Sequence, residues 1–196
     1  MKLSKGMYLG VMAGGYIVGI ILVFMGVGAA FLGAATAGNN SDANSAAAGA
    51  AAFGGFGLSM LGFLCMLASG VAYLMLIFKA WTAINDGQQR TSPLAAALLL
   101  LIPLFNLYWM FQAVWGWAQD YNKYIARHNV AGAPQMNEQM FLFQPIALIA
   151  CIVPLVGALA ALAHLVLLFL NASKMIDGVN AIVGGAPVAM AAAASK

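Results

Sequence analysis

Charge is what this chain has least of. Its 196 residues include 8 Lys or Arg and 5 Asp or Glu, 7% in all, against about 25% in an ordinary soluble domain. Four stretches carry no formal charge at all: residues 6–41, 43–78, 91–119 and 139–173. A soluble domain lacks the polar surface to cover so much Leu, Ile, Val, Phe and Ala, which excludes that class and points to a polytopic membrane chain. No acid falls inside those stretches, which weighs against a proton- or cation-coupled transporter, since these hold intramembrane carboxylates. Basic residues stand singly at the ends of the runs rather than in a cluster, so the net charge of +3 is no nucleic-acid footprint.

Cysteine and histidine are equally scarce. Cys65 and Cys151 both lie in apolar runs without ligand spacing and read as small buried hydrophobes. No phosphate loop, paired carboxylates or His/Cys metal set is present, so no catalytic constellation is predicted and the chain reads as non-enzymatic.

What is abundant is apolar length. Runs over about 7–33, 57–80, 94–118 and 145–170 each supply the roughly 20 residues needed to cross a bilayer core of about 30 Å. Backbone groups in lipid must bond within their own segment, so helices are expected. The fold class that follows is all-α: an integral membrane four-helix bundle, one domain over 1–183 with a flexible tail over 184–196. The start, Met1-Lys2-Leu3-Ser4-Lys5, is signal-like, yet its apolar run far exceeds a signal's and reads as a retained span. An N-in/C-in orientation places Lys2, Lys5, Lys79, Arg90, Lys174 and Lys196 inside and only Lys123 and Arg127 outside.

Turn chemistry separates the runs. Residues 39–45, Asn-Asn-Ser-Asp-Ala-Asn-Ser, form one tip and include an Asn39-Asn40-Ser41 sequon; Ser92-Pro93 marks a helix start. From Leu94 to His128 only Pro103 and Gly116 interrupt helical character, and a continuous helix there would run about 50 Å. Pro103 is expected to kink it, and its end to leave the membrane.

Two patterns stand out as candidate interaction surfaces. Small residues recur every seven positions: Gly19, Gly26 and Gly33 in the first run, Gly55, Gly62 and Ser69 in the second, with Gly15 beside them and a four-residue series Gly6, Gly10, Gly14. Such spacing predicts a close helix–helix seam, within one chain or between two. The third run carries a stripe of Phe105, Tyr108, Gln112, Trp115, Gln119 and Asn122 at alternating spacings of three and four, with Asn106 beside Pro103 in mid-span. An interfacial aromatic belt explains the Trp and Tyr residues; a face for a ligand or partner helix is the alternative. His164 follows Ala160 and Ala161 by about one turn, leaving room for a haem or chlorin on its ring, although a hydrogen-bonded core histidine is the simpler reading. A short echo, W-T-A-I-N-D at 81–86 and W-G-W-A-Q-D at 115–120, hints at a repeated unit.

The pieces Lys79-Ala80-Trp81, Asp86-Gly87, Arg90-Thr91, Pro103-Leu104-Phe105-Asn106-Leu107-Tyr108-Trp109 and Trp115-Gly116-Trp117-Ala118-Gln119-Asp120-Tyr121-Asn122 resemble a group of uncharacterised bacterial multi-pass membrane proteins, notably of planctomycete-type bacteria. The resemblance covers about 70–180. It implies a four-span bacterial membrane protein and assigns no activity. Taken together, these readings predict a multi-pass protein of the bacterial cytoplasmic (inner) membrane that contacts the lipid bilayer. It would act as a structural or interaction subunit, as a homo-oligomer or within a larger membrane complex, with no cofactor and no nucleic acid. A small uncoupled channel or solute carrier is the alternative, and a pigment- or haem-holding subunit using His164 a further one.

Overall fold

In the computed structural model, residues 2–37 and 42–185 are described; the sequon at 39–41 and most of the expected tail lie outside them. The described residues are helical, with no strand among them. The helices are α1 (Lys5–Ala37), α2 (Asp42–Ala83), α3 (Pro93–Leu98), α4 (Phe105–Met110), α5 (Gly116–His128), α6 (Glu138–Ala150) and α7 (Gly157–Gly184). Three of them are long and apolar enough to cross a membrane, over Lys5–Ala35, Ala46–Ala83 and Gly157–Gly184.

The chain divides into two compact units where the sequence reads as one domain. One is Gly10–Ala72; the other joins the residues up to Leu9 with those from Tyr73 onward.

The Gly10–Ala72 unit is a helical hairpin whose helices meet through backbone. A Cβ added at Gly19 would stand 2.7 Å from the Gly62 carbonyl, and one at Gly62 would stand 2.6 Å from the Gly19 carbonyl. Gly26 and Gly55 oppose one another in the same reciprocal way, Gly33 meets Ala48 and Ala51, and Gly15 meets Cys65 and Ser69. Ser69 is fully buried, and its Oγ lies 3.2 Å and 3.1 Å from the Val11 and Met12 carbonyls. The heptad series thus lies between α1 and α2 of one chain. Gly10 and Gly14, of the four-residue series, have nothing within 4 Å.

In the other unit, two of the expected crossings take a different form. Residues 94–118 are not one helix. Ser92 caps α3 by accepting from Ala95 N, Pro93 fills the first turn, and the helix tightens into a 3-10 turn over Leu99–Leu101. The chain then reverses: Leu104 adopts a positive φ of 64°, and α4 starts at Phe105. Pro103 therefore marks a reversal rather than a kink. The returning limb packs on the outgoing one, with Trp109 Nε1 donating to the Ala96 carbonyl at 3.3 Å. It continues through a π-helical stretch, Phe111–Trp115, into α5, which ends at His128 with Asn129 left-handed. Residues 145–170 are also interrupted. Helix α6 stops at Ala150, a turn follows over 151–156, and α7 returns against α6.

Both hairpins begin and end at one end of this unit. Arg90, before α3, pairs with Asp120 of α5 at 2.9 Å, and Asp86 pairs with Arg127 at 2.7 Å. Arg127 and Lys123 consequently share a face with Arg90, which overturns their assignment to the opposite side. The two termini of the described chain meet at the same end, through Lys5–Asp177 at 2.8 Å and the bond from Leu3 N to Asn180 Oδ1. The far ends are apolar tips. Leu104 is 83% exposed and Leu155 95% exposed, and each tip lies about 20 Å or more from the ion pairs, counting 1.5 Å per helical residue.

Candidate functional site

The ion pairs form a reciprocal clasp. The 84–92 loop carries Asp86 and Arg90, and α5 carries Asp120 and Arg127; each acid binds the base of the other segment. Asp120, whose side chain is 8% exposed, accepts from Arg90 N at 2.9 Å, Nε at 3.1 Å and Nη2 at 2.9 Å. The paired geometry holds the guanidinium in one plane, and Gly116 allows that plane to lie close: a Cβ there would stand 2.9 Å from Arg90 Nη1. Asp86 also approaches His128 Nε2 at 3.0 Å, and Gly87, at φ 83°, turns the loop beside it. The hydrogen bond from Arg127 holds the Asp86 carboxyl well below the usual carboxylate range. The echo segments at 81–86 and 115–120 thus end at the same end of this unit.

The stripe on the third run is divided by function. Phe105 and Tyr108 are exposed near the tip, and Phe105 stacks on Trp109 at 5.5 Å. Gln112 reaches the Tyr108 hydroxyl at 3.4 Å, and Trp115 is half-buried. Gln119 accepts from Arg90, and Asn122 bridges α5 to the segment before α6, bonding Met136 N, Met136 O and Glu138 Oε1 at 2.8, 2.9 and 3.0 Å. The amides of this stripe thus serve contacts inside the chain. Gln119, Asn122, Lys123, Ala126 and Glu138 line a shallow open groove beside them. Asn106 is half-buried, and its Oδ1 is buried without a partner among the described residues.

Polar residues hidden in apolar runs build a second cluster. Gln144, fully buried in α6, donates to the Tyr73 hydroxyl at 3.0 Å and accepts from Asn171 Nδ2 at 2.8 Å. His164 Nδ1 lies 3.1 Å from the Gln144 carbonyl. A carbonyl only accepts, so the proton sits on Nδ1, leaving Nε2 as the nitrogen free to take a ligand. Among the described residues no group of three or more His, Cys, Asp or Glu is placed to hold a metal. Gln144 and Asn171 escaped the sequence reading, although an amide in a long apolar run is as unusual as Asn106. The π-helical turn was also not legible; Trp81 fixes it, its Nε1 donating to the Ala113 carbonyl at 2.9 Å. Beside these, Tyr121 is fully buried between Trp117 and Gly178, and burial pushes its phenol up to about 12.

No family model, curated protein or solved structure matches the chain.

Proposed function

We propose that this chain is a non-enzymatic, multi-pass protein of the bacterial cytoplasmic membrane, acting as an interaction subunit that self-associates or packs into a larger membrane complex. The observation that carries the reading is the one-ended distribution of charge in the unit containing Tyr73–Gly185. Lys5, Arg90, Asp120, Arg127 and Asp177 meet at one end, while Pro-containing apolar tips stand at the other. On this reading the clasp lies at one water interface and the tips in hydrocarbon, each hairpin entering and leaving by the same face. Among the described residues of that unit seven are basic, Lys2, Lys5, Lys79, Arg90, Lys123, Arg127 and Lys174, and the positive-inside bias favours a cytoplasmic charged face. The open small-residue positions Gly10 and Gly14 favour association with a further helix.

Cysteines placed at Gln88 and Ala126 should be labelled from the same side of sealed vesicles, with cysteines at Leu104 and Leu155 protected. Labelling of Gln88 and Ala126 from opposite sides would defeat this topology. Native mass of the extracted protein should exceed one chain. A monomer without partners would remove the subunit reading and leave the small uncoupled channel or carrier, for which the buried Tyr73–Gln144–Asn171 cluster is the relevant feature and solute flux the assay.

A further inference from the structure

Beside the ion-paired end, Leu3, Phe78, Lys79, Thr82, Ala83, Val179 and Val183 enclose a cleft of about 210 Å³. Its walls come from the residues before α1, the last turns of α2 and the last turns of α7, all in one compact unit. Leu3 and Val179 are buried in its floor, while Phe78 and Val183 are exposed at its mouth. The cleft is therefore apolar inside and open at its edge.

Its rim is cationic without being neutralised. Lys79 has no carboxylate within ion-pair distance among the described residues; its ammonium stands 5.4 Å from the centre of the Tyr8 ring. Lys2, the neighbour of Leu3, extends over the end of α7 beside Val183, its Nζ 3.7 Å from where a Gly184 Cβ would stand, and it too has no carboxylate partner among the described residues. The one acid nearby on α7, Asp177, is bound by Lys5 at 2.8 Å and 3.0 Å. Two free ammonium groups bordering an apolar slot at an interface match an anion carrying a hydrocarbon tail. A free phosphate would use the rim and leave the walls unexplained, and a neutral lipid would leave the rim unexplained.

We infer that this cleft binds one anionic phospholipid, its phosphate between Lys79 and Lys2 and the first part of an acyl chain against Phe78, Val179 and Val183. The site rests on the membrane reading above, with the charged end at the headgroup level. Bound there, the lipid would tie the start of the chain to the ends of α2 and α7.

The test is native mass spectrometry of delipidated full-length protein titrated with phosphatidylglycerol, phosphatidylcholine or inorganic phosphate. One phosphatidylglycerol per chain should be retained, with phosphatidylcholine at least about tenfold weaker and inorganic phosphate neither retained nor competing. Lys79→Gln should weaken retention about tenfold, and Lys2→Gln with Lys79→Gln should erase the preference for the anionic lipid. Val183→Trp, which fills the mouth, should lower retention of both lipids, while Lys174→Gln should change nothing. Circular dichroism of each variant separates lost binding from lost fold. Equal retention of the two phospholipids, meaning annular lipid only, would overturn the site, as would Lys174→Gln acting as strongly as Lys79→Gln. Competition by inorganic phosphate would reassign the cleft to a soluble anion. Failure of the membrane reading shows elsewhere, as release of the protein from membranes by alkaline carbonate.

Discussion

Between Gly10 and Ala72 two helices meet by removing side chains, whereas from Tyr73 onward the helices meet by interlocking them. The first contact is Gly against Gly carbonyl, at Gly19–Gly62 and Gly26–Gly55, closed by the Ser69 hydroxyl. The second is Trp81 bonded to the π-turn at Ala113, Gln144 bonded to Tyr73 and Asn171, and Arg90 clasped to Asp120. Close backbone approach relies on dispersion and leaves almost no directional preference, so one helix can be exchanged for another of the same spacing. Side-chain bonds fix one partner in one register, which is what chain reversals such as those at 102–104 and 151–156 require.

The comparison breaks most visibly at a seam glycine. Gly62→Leu should destabilise the hairpin by on the order of 3 kcal/mol, because the neighbouring atoms are the Gly19 carbonyl and Val23 backbone and cannot rotate away. Gly14→Leu, with nothing within 4 Å, should leave the thermal midpoint of extracted monomer nearly unchanged. Equal effects would erase the distinction between the heptad and four-residue series.

Arg90→Ala should follow, at about 3 kcal/mol, since it leaves the Asp120 carboxylate, with little solvent, only the backbone N–H of residue 90 and Lys123 at 3.8 Å. Arg90→Lys should recover only part of the loss, because a point charge cannot supply both guanidinium bonds. Denaturation in detergent reads both. Full rescue by lysine would reduce the clasp to a simple charge pair.

Gln144→Leu should cost about 1 kcal/mol, the range for interhelical amides in membranes, because it removes the bonds to the Tyr73 hydroxyl and from Asn171 Nδ2. Gln144→Leu combined with Asn171→Leu should cost less than the sum of the two single changes, because the shared bond is lost once. Strict additivity would mean that the amides act independently.

The smallest effect belongs to Asp86, whose carboxyl Arg127 holds low. A depressed folded value means its contribution is complete above the unfolded value, near 3.8, and is lost as the pH falls from there toward the folded one. Stability from this pair should thus be flat across neutral pH and decline only in strong acid, and Asp86→Asn should remove that acid-range slope. Arg127 is the more open partner, and a pair at the edge of solvent keeps the effect within about 1 kcal/mol.

How far the chain could be read in advance follows the same division. The Gly and Ser spacing lay in plain view because helical periodicity converts sequence distance directly into a face. Ser92-Pro93 was equally legible as a helix start, since its bond closes within three residues. The reciprocal pairs of Asp86 with Arg127 and Arg90 with Asp120 were not, because each links residues 41 or 30 positions apart. Reading loops by alternation across a membrane put Lys123 and Arg127 on the wrong face, because alternation assumes that every apolar run crosses.

Composition and apolar length by themselves pointed to an apolar helical chain, but counted four crossings where three helices are long and apolar enough, and periodicity marked the small-residue faces; these depend on local backbone satisfaction and on removing apolar surface from water. Tertiary structure decided which runs turn back. A proline in an apolar run is compatible with either a kink or a reversal, and the choice at Pro103 was made by the partners of the two limbs: the Ala96 carbonyl for Trp109, the Ala113 carbonyl for Trp81 and the Asp120 carboxylate for Arg90. Those energies exist only once segments distant in sequence have met.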